Sequence, residues 1–375
     1  MELFDVYPLY DVTPVSAKGI MVKDEKGQEY YDFYGGHAVI SIGHAHPHYL
    51  KCIKEQLDRI GFYSNSVQNP LQRELASRLG KISGCTDYNL FLCNSGAEAN
   101  ENALKLASFH TGKSRVIAFK NSFHGRTSAA VAATDNAKIC APINQQQEVS
   151  FLPFNDIEAF QNELKKDDVC AVIIESIQGV GGLDEPNTAF YQCIAEACQN
   201  HGVLLIADEV QSGFGRSGKF FAFQHHDIKP DIISIAKGMG NGFPVGGILI
   251  QGNIKATHGM LGTTFGGNHL ACAATLAVLD VLEKENLIEN AKEIGEYFEE
   301  KAEEVPQIKG VKGRGLMMGL EFDFEVADLR KKLIFNQRVF TGGAKDKYVL
   351  RILPALNISK AHIDLFFEAL KKELG

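Results

Sequence analysis

Long apolar runs are missing from this 375-residue sequence. No stretch approaches the roughly 20 residues that cross a bilayer, so a helical membrane protein is excluded and no membrane partner is expected. Runs of positive charge are missing too. The formal net charge is −8, from 38 Lys and Arg against 46 Asp and Glu, which makes nucleic acid a poor partner. The opening Met1-Glu2-Leu3-Phe4-Asp5 has neither the basic nor the apolar region of an export signal, so a cytoplasmic location is expected. Eight cysteines are scattered without a C-x-x-C pair and read as reduced core residues, not a disulfide framework. There is no internal repeat and no low-complexity linker. Metal ligands in register are also lacking. Gly43-His44-Ala45-His46-Pro47-His48 has three histidines, but Pro47 breaks the spacing and no Cys or acid follows at ligand distance, so no metal is expected. His225-His226-Asp227 reads as an exposed turn before Pro230.

What is present is the mix of an ordinary globular chain, 45% hydrophobic and 22% charged, long enough for one large domain and a smaller one. Short Val/Ile/Leu-rich runs predict buried strands at Asn89–Cys93, Arg115–Phe119, Val149–Leu152, Cys170–Glu175, Val203–Asp208, Ile232–Ile235 and Gly247–Ile250. Helical periodicity lies between several of them, at Ala97–His110, Asp156–Leu164 and Ala189–Asn200. This alternation predicts an α/β domain with a mostly parallel sheet. The first 45 residues read as a hairpin, Gly19–Val22 and Glu29–Phe33. The last 90 read as a charged helix Ile288–Glu304, strands Leu316–Phe322 and Tyr348–Leu353, and a closing helix Lys360–Glu373. The expected organisation is a large domain over residues 46–285, with segments 1–45 and 286–375 forming a small α+β domain.

Six segments carry chemistry. Val203 to Gln211 is an apolar strand ending in Asp208 and Glu209, where an open α/β sheet places its ligands. A carboxylate there could hold a metal, a ribose hydroxyl or a protonated ring nitrogen, or simply cap the next turn. Lys237 directly follows another buried strand and precedes Gly238, Gly240 and Gly242. Lysine is rarely buried unless paired or used, and a desolvated amine is a competent nucleophile toward an aldehyde; the plainer alternative is a lysine reaching the surface. Asn94-Ser95-Gly96-Ala97-Glu98 begins a helix, so its amides suit a phosphate, and Ser95 with Glu98 also suits a simple cap. Phe123-His124-Gly125-Arg126-Thr127 offers a ring to stack and a guanidinium for a carboxylate. Gly262-Thr263-Thr264-Phe265-Gly266-Gly267-Asn268 offers further donors, and Arg351 stands inside an apolar strand where it needs an anionic partner.

In this order and combination, N-S-G-A-E-A-N, F-H-G-R-T, D-E-V-Q-S-G, A-K-G and T-F-G-G-N resemble the class III pyridoxal-phosphate aminotransferases of fold type I, over nearly the whole chain and most closely in the acetylornithine style. The resemblance implies pyridoxal 5′-phosphate as cofactor, held as a Schiff base by Lys237, which also moves the substrate proton. Asp208 would pair with the ring nitrogen, Gln211 with the ring hydroxyl, and Phe123 would stack on the ring, with Glu209 and Val210 of the same turn among the cofactor contacts. Ser95, Gly96 and Ala97 would hold the phosphate, and Thr264 would reach the phosphate of a neighbouring subunit, implying a homodimer. Thr263 and Arg126 would contact the amine donor, and Arg351 the α-carboxylate of glutamate or 2-oxoglutarate. The implied reaction moves the δ-amino group of an N²-acylornithine, acetyl or succinyl, to 2-oxoglutarate in arginine biosynthesis. Free ornithine, 4-aminobutyrate or another ω-amino donor is the alternative. A non-catalytic nucleotide-binding protein is the reading from another class.

One residue and one three-residue segment depart from the family pattern. Val180 replaces a glutamate that in relatives pairs with the arginine matching Arg351, so Arg351 is expected to be unmasked. Gly35-Gly36-His37 replaces aliphatic residues, so an acyl group larger or more anionic than acetyl, such as succinyl, is expected to fit.

Overall fold

In the structure, a computed structural model describing residues 1–375, the apolar runs join into one seven-stranded sheet. Its order is Tyr88–Cys93, Gly246–Gln251, Ile232–Ile235, Leu204–Asp208, Val169–Glu175, Arg115–Phe119, Val149–Leu152. Gly246–Gln251 runs antiparallel to both neighbours; every other adjacent pair is parallel. The four strands from Ile232–Ile235 through Arg115–Phe119 are buried at every residue, which is why they read as unbroken apolar runs and not as alternating patterns.

Alternate side chains nonetheless face opposite layers. Val116, Ala118 and Ile173 join Ala103, Leu104 and Ala107 of the helix Gly96–Thr111. Ile117, Phe119 and Val172 join Phe190 and Ile194 of the helix Thr188–His201 on the other side. Burying a side chain of this size contributes about 1.5–3 kcal/mol, so the two layers fix the sheet and with it every strand end.

The two chain ends meet. Glu29–Asp32 pairs antiparallel with Met21–Asp24 and parallel with Val339–Phe340, placing Tyr31 beside Val339. The first strand of the hairpin runs two residues past its expected end, to Asp24, whose Oδ1 accepts the turn amides of Lys26 and Gln28 at 3.0 and 2.8 Å. A third sheet joins Gly310–Arg314, Met317–Glu321, Val349–Ile352 and Gly342–Gly343 under the helices Leu287–Glu303, Ala327–Gln337 and Lys360–Leu374. No helix is long and apolar enough to cross a membrane.

Two histidine expectations resolve differently. The three of Gly43–His48 diverge to three carboxylates: His44 to Asp32 at 2.9 Å, His46 to Glu285 at 2.9 Å and His48 to Asp280 at 2.6 Å. The exposed turn expected at His225–Asp227 is corrected at His226, which is buried with Nδ1 3.0 Å from Thr188 Oγ1 and its ring against Tyr191.

Candidate active site

The carboxyl ends of the parallel strands surround a cavity of about 380 Å³. Glu175 and Asp208 end adjacent strands as register partners, and Lys237 lies just beyond Ile232–Ile235. A crevice at such strand ends is where open α/β sheets bind ligands. Ser95, Gly96, Ala97, Phe123, Arg126, Asp208, Val210, Gln211 and Lys237 all line it.

Asp208 is buried at 4% exposure, and its charge is held by three donors. Oδ2 accepts from Asn100 Nδ2 and His124 Nδ1, both at 2.7 Å, and Oδ1 accepts the Val210 amide at 3.0 Å. Because a carboxylate only accepts, the proton of His124 sits on Nδ1. Glu175 takes the amides of Phe123 and Gly179, both at 2.8 Å, so it anchors the aromatic segment. Burial pushes its carboxyl up to about 7, with His124 opposing and Asp208 adding.

Lys237 emerges with φ at +49°, and its Nζ has neither a hydrogen bond nor an ion pair within the chain. Burial lowers its pKa from the ordinary lysine value, against the pull of Asp208 and Glu175. A desolvated amine gives up its proton more readily and is the better nucleophile for it. At the opposite corner Ser95 Oγ accepts the Glu98 amide at 3.2 Å, and Glu98 Oε2 accepts the Asn94 amide at 3.0 Å. This capping leaves the Gly96 and Ala97 amides, which have no intrahelical acceptor, for a ligand. Glycine is required there: a Cβ on Gly96 would stand 2.5 Å from Val210 Cγ1.

Not every expected residue faces this space. Glu209 is corrected: its carboxylate is fully buried away from the cavity, accepting from Ser176, Ser212 and the amides of Ala222 and Phe223. Strand alternation turns it opposite Asp208. Thr263 lines a separate hollow with Asn65 and Gln72, and Thr264 is exposed. Arg351 has no carboxylate partner, as the exchange at Val180 led us to expect, but its guanidinium is covered by neutral groups. It is 3% exposed, with Nε on Gly343 O and Nη1 on Gly179 O, both at 2.6 Å, and Nη2 on Tyr34 Oη at 3.4 Å. The missing carboxylate at Val180 leaves neutral oxygens in its place.

Sequence reasoning gave no role to Asn100, Glu175 or Tyr34, and read His124 with Phe123 as an aromatic pair for stacking, whereas its ring is turned to Asp208. For Glu175 a signal existed: like Asp208 it closes an apolar run, so stacking the strand ends puts the two side by side.

The class III aminotransferase family model matches residues 6–374. This chain belongs to the class III aminotransferases. It is 40% identical over 381 residues to the acetylornithine aminotransferase of Bacillus subtilis (strain 168), covering 100% of this chain and 98% of that one. With the acetylornithine aminotransferase of Aquifex aeolicus (strain VF5) it shares 41% over 385 residues, covering 99% of each. Among solved structures, the ornithine aminotransferase of Toxoplasma gondii ME49 superposes with a TM-score of 0.91 at 29% identity, over 98% of this chain and 91% of that one. An S-selective transaminase from Arthrobacter sp. gives 0.91 at 26% identity, over 100% and 95%. The fold is that of pyridoxal-phosphate transaminases, and this aminotransferase works with pyridoxal phosphate. Its cavity fits that cofactor on the chemistry of its donors: an unpartnered lysine for the aldehyde, a buried carboxylate for a ring nitrogen, free helix amides for the phosphate and the Phe123 ring for stacking.

Proposed function

We propose that this aminotransferase moves the δ-amino group of an N²-acylornithine to 2-oxoglutarate, giving the N-acylglutamate semialdehyde and glutamate, as a step of arginine biosynthesis in the cytoplasm. The reading rests on full-length relatives at about 40% identity that are named acetylornithine aminotransferases. Two arginines without carboxylate partners, Arg126 at the cavity and Arg351 behind Gln211, suit a reaction whose two substrates each bring carboxylates.

Bound pyridoxal phosphate supplies an aldehyde for the substrate amine and an electron sink for the carbon that loses its proton. Lys237 Nζ holds the cofactor and then carries that proton. Asp208, oriented by His124 and Asn100, keeps the ring nitrogen protonated. Ser95 and the Gly96 and Ala97 amides would hold the phosphate, Phe123 would stack on the ring and Gln211 would bond its hydroxyl. Thr264, exposed and off its own cavity, serves the phosphate of a second subunit in a homodimer. Arg126, exposed and free of protein partners, and Thr263 contact the acylornithine. Arg351 takes the α-carboxylate of glutamate.

Turned toward donors, the purified holoenzyme should prefer N-acetyl- or N-succinylornithine over free ornithine and 4-aminobutyrate by kcat/KM. The succinyl compound is included because Gly35-Gly36-His37 departs from the aliphatic residues of the family pattern. A clear preference for free ornithine would overturn the acyl reading, and a preference for acetyl would overturn only the succinyl part.

A further inference from the structure

Arg351 closes a ring of hydrogen bonds that includes no carboxylate. Its Nη1 reaches Gln211 Oε1 at 3.5 Å, and Gln211 Nε2 donates to the His37 carbonyl at 3.2 Å. The His37 ring nitrogen Nδ1 lies 2.5 Å from Tyr34 Oη, which returns to Arg351 Nη2 at 3.4 Å. The Tyr34 ring also lies over the guanidinium, 5.8 Å from its carbon. Backbone carbonyls already hold Nε and Nη1 at 2.6 Å. Nη2 alone depends on a movable side chain.

The segment that carries this side chain is strained. Gly35, Gly36, His37 and Ala38 all have positive φ, from 55° to 68°, which makes one left-handed turn closed by the Ala38 amide on Tyr34 O and the Val39 amide on Gly35 O. Left-handed backbone brings Cβ too close to the following carbonyl and is unfavourable for every residue but glycine. Gly35 and Gly36 avoid that cost, while His37 and Ala38 bear it, and the result sets His37 against Tyr34 three residues earlier. Burial raises the Tyr34 phenol above its ordinary pKa, and crowding of the His37 ring, with Arg351, Lys237 and Arg330 nearby, pushes it down to about 4. Both groups are therefore neutral at pH 7. The phenol oxygen accepts from Arg351 and shares one proton's hydrogen bond with the His37 ring.

Resting on the transaminase reading, we propose that Tyr34, latched by His37, is a neutral gate on Arg351 that yields to the α-carboxylate of glutamate or 2-oxoglutarate and covers the guanidinium while the other amine donor reacts. A phenol oxygen at 3.4 Å is a weak competitor, and a carboxylate makes the shorter, stronger charge-assisted pair. Tyr34 and His37 are positioning residues: they act through Arg351 and set which carboxylate it accepts.

The test follows the two half-reactions of the holoenzyme separately, by the absorbance change of the bound cofactor. One uses glutamate and the other the best donor of the substrate panel. Tyr34→Phe should lower KM for glutamate about 3- to 10-fold at unchanged kcat, the scale of one hydrogen bond, and lower kcat/KM for the other donor. His37→Asn, which tolerates the left-handed backbone but cannot reach the phenol, should shift both in the same sense by less. The double variant should match Tyr34→Phe, because both act through one contact. Parallel changes in the two half-reactions, or an unchanged glutamate KM in both single variants, would overturn the gate. The glutamate arm needs no acylornithine. Failure of the acylornithine panel with a sharpened glutamate KM leaves the gate standing, and the reverse pattern removes the gate alone.

Discussion

Asp208 and Arg351 are both charged, nearly fully buried and close to the same turn, yet they are satisfied in opposite ways. Asp208 receives three N–H donors from elements locked into the large sheet and its covering helix. Hydrogen bonds to a charge contribute about 1.5–3 kcal/mol each, so this carboxylate has one stable arrangement. Arg351 leans on oxygens from three separate segments, at Gly179, Gly343 and Tyr34, none of them charged. A site that keeps one chemistry but takes two substrates needs this division, with a fixed end for the cofactor and a compliant end for what changes.

The comparison can be broken at several points. Lys237→Ala, which removes the amine between the two ends, should cost at least about 10³-fold in turnover with either substrate and abolish the visible absorption band of the purified protein. A band unchanged from the parent's, and still insensitive to added amine, would refute its role. Asp208→Asn should lower kcat of both half-reactions by about 10²- to 10³-fold and alike, since the fixed end serves both. An effect on one half-reaction only would erase the distinction between the ends. Arg126→Ala should raise KM for the acylornithine by about 10- to 100-fold and leave the glutamate half-reaction near its parent value, read by the same cofactor absorbance.

The smallest expected effect is on stability. A carboxyl whose folded pKa is raised binds its proton more tightly in the fold. Its contribution is complete below the ordinary carboxyl pKa and is lost as pH rises through about 7. With the cofactor removed, Tm of Glu175→Gln relative to parent should therefore climb between pH 5 and pH 7.5. A constant difference would show that Glu175 keeps an ordinary carboxyl pKa in the fold.

The sheet was legible because its central strands are buried on both faces and so spell continuous apolar runs. Other elements left weaker traces. The helix His269–Lys284 is buried nearly all round, so no polar face reveals its period. Gly310–Arg314 reads Gly-Val-Lys-Gly-Arg at a sheet edge, without strand composition. Within the site, residues at strand ends and helix starts could be found from local pattern. The Tyr34–His37 contact could not, because it depends on a left-handed turn, and the oxygens around Arg351 come from segments far apart in sequence.

That separation bears on how the molecule is made. Tyr31 finds Val339 across about 300 residues, a pairing that waits for almost the whole chain. Loops that long close slowly, and contacts of high sequence separation delay folding. During synthesis the central sheet has all its strands by Gln251, while Glu29–Asp32 keeps one edge open until the last portion emerges. An unpaired edge invites wrong partners. Truncation before Val339 should therefore yield a chain prone to aggregate, a liability of birth order that the finished enzyme no longer displays.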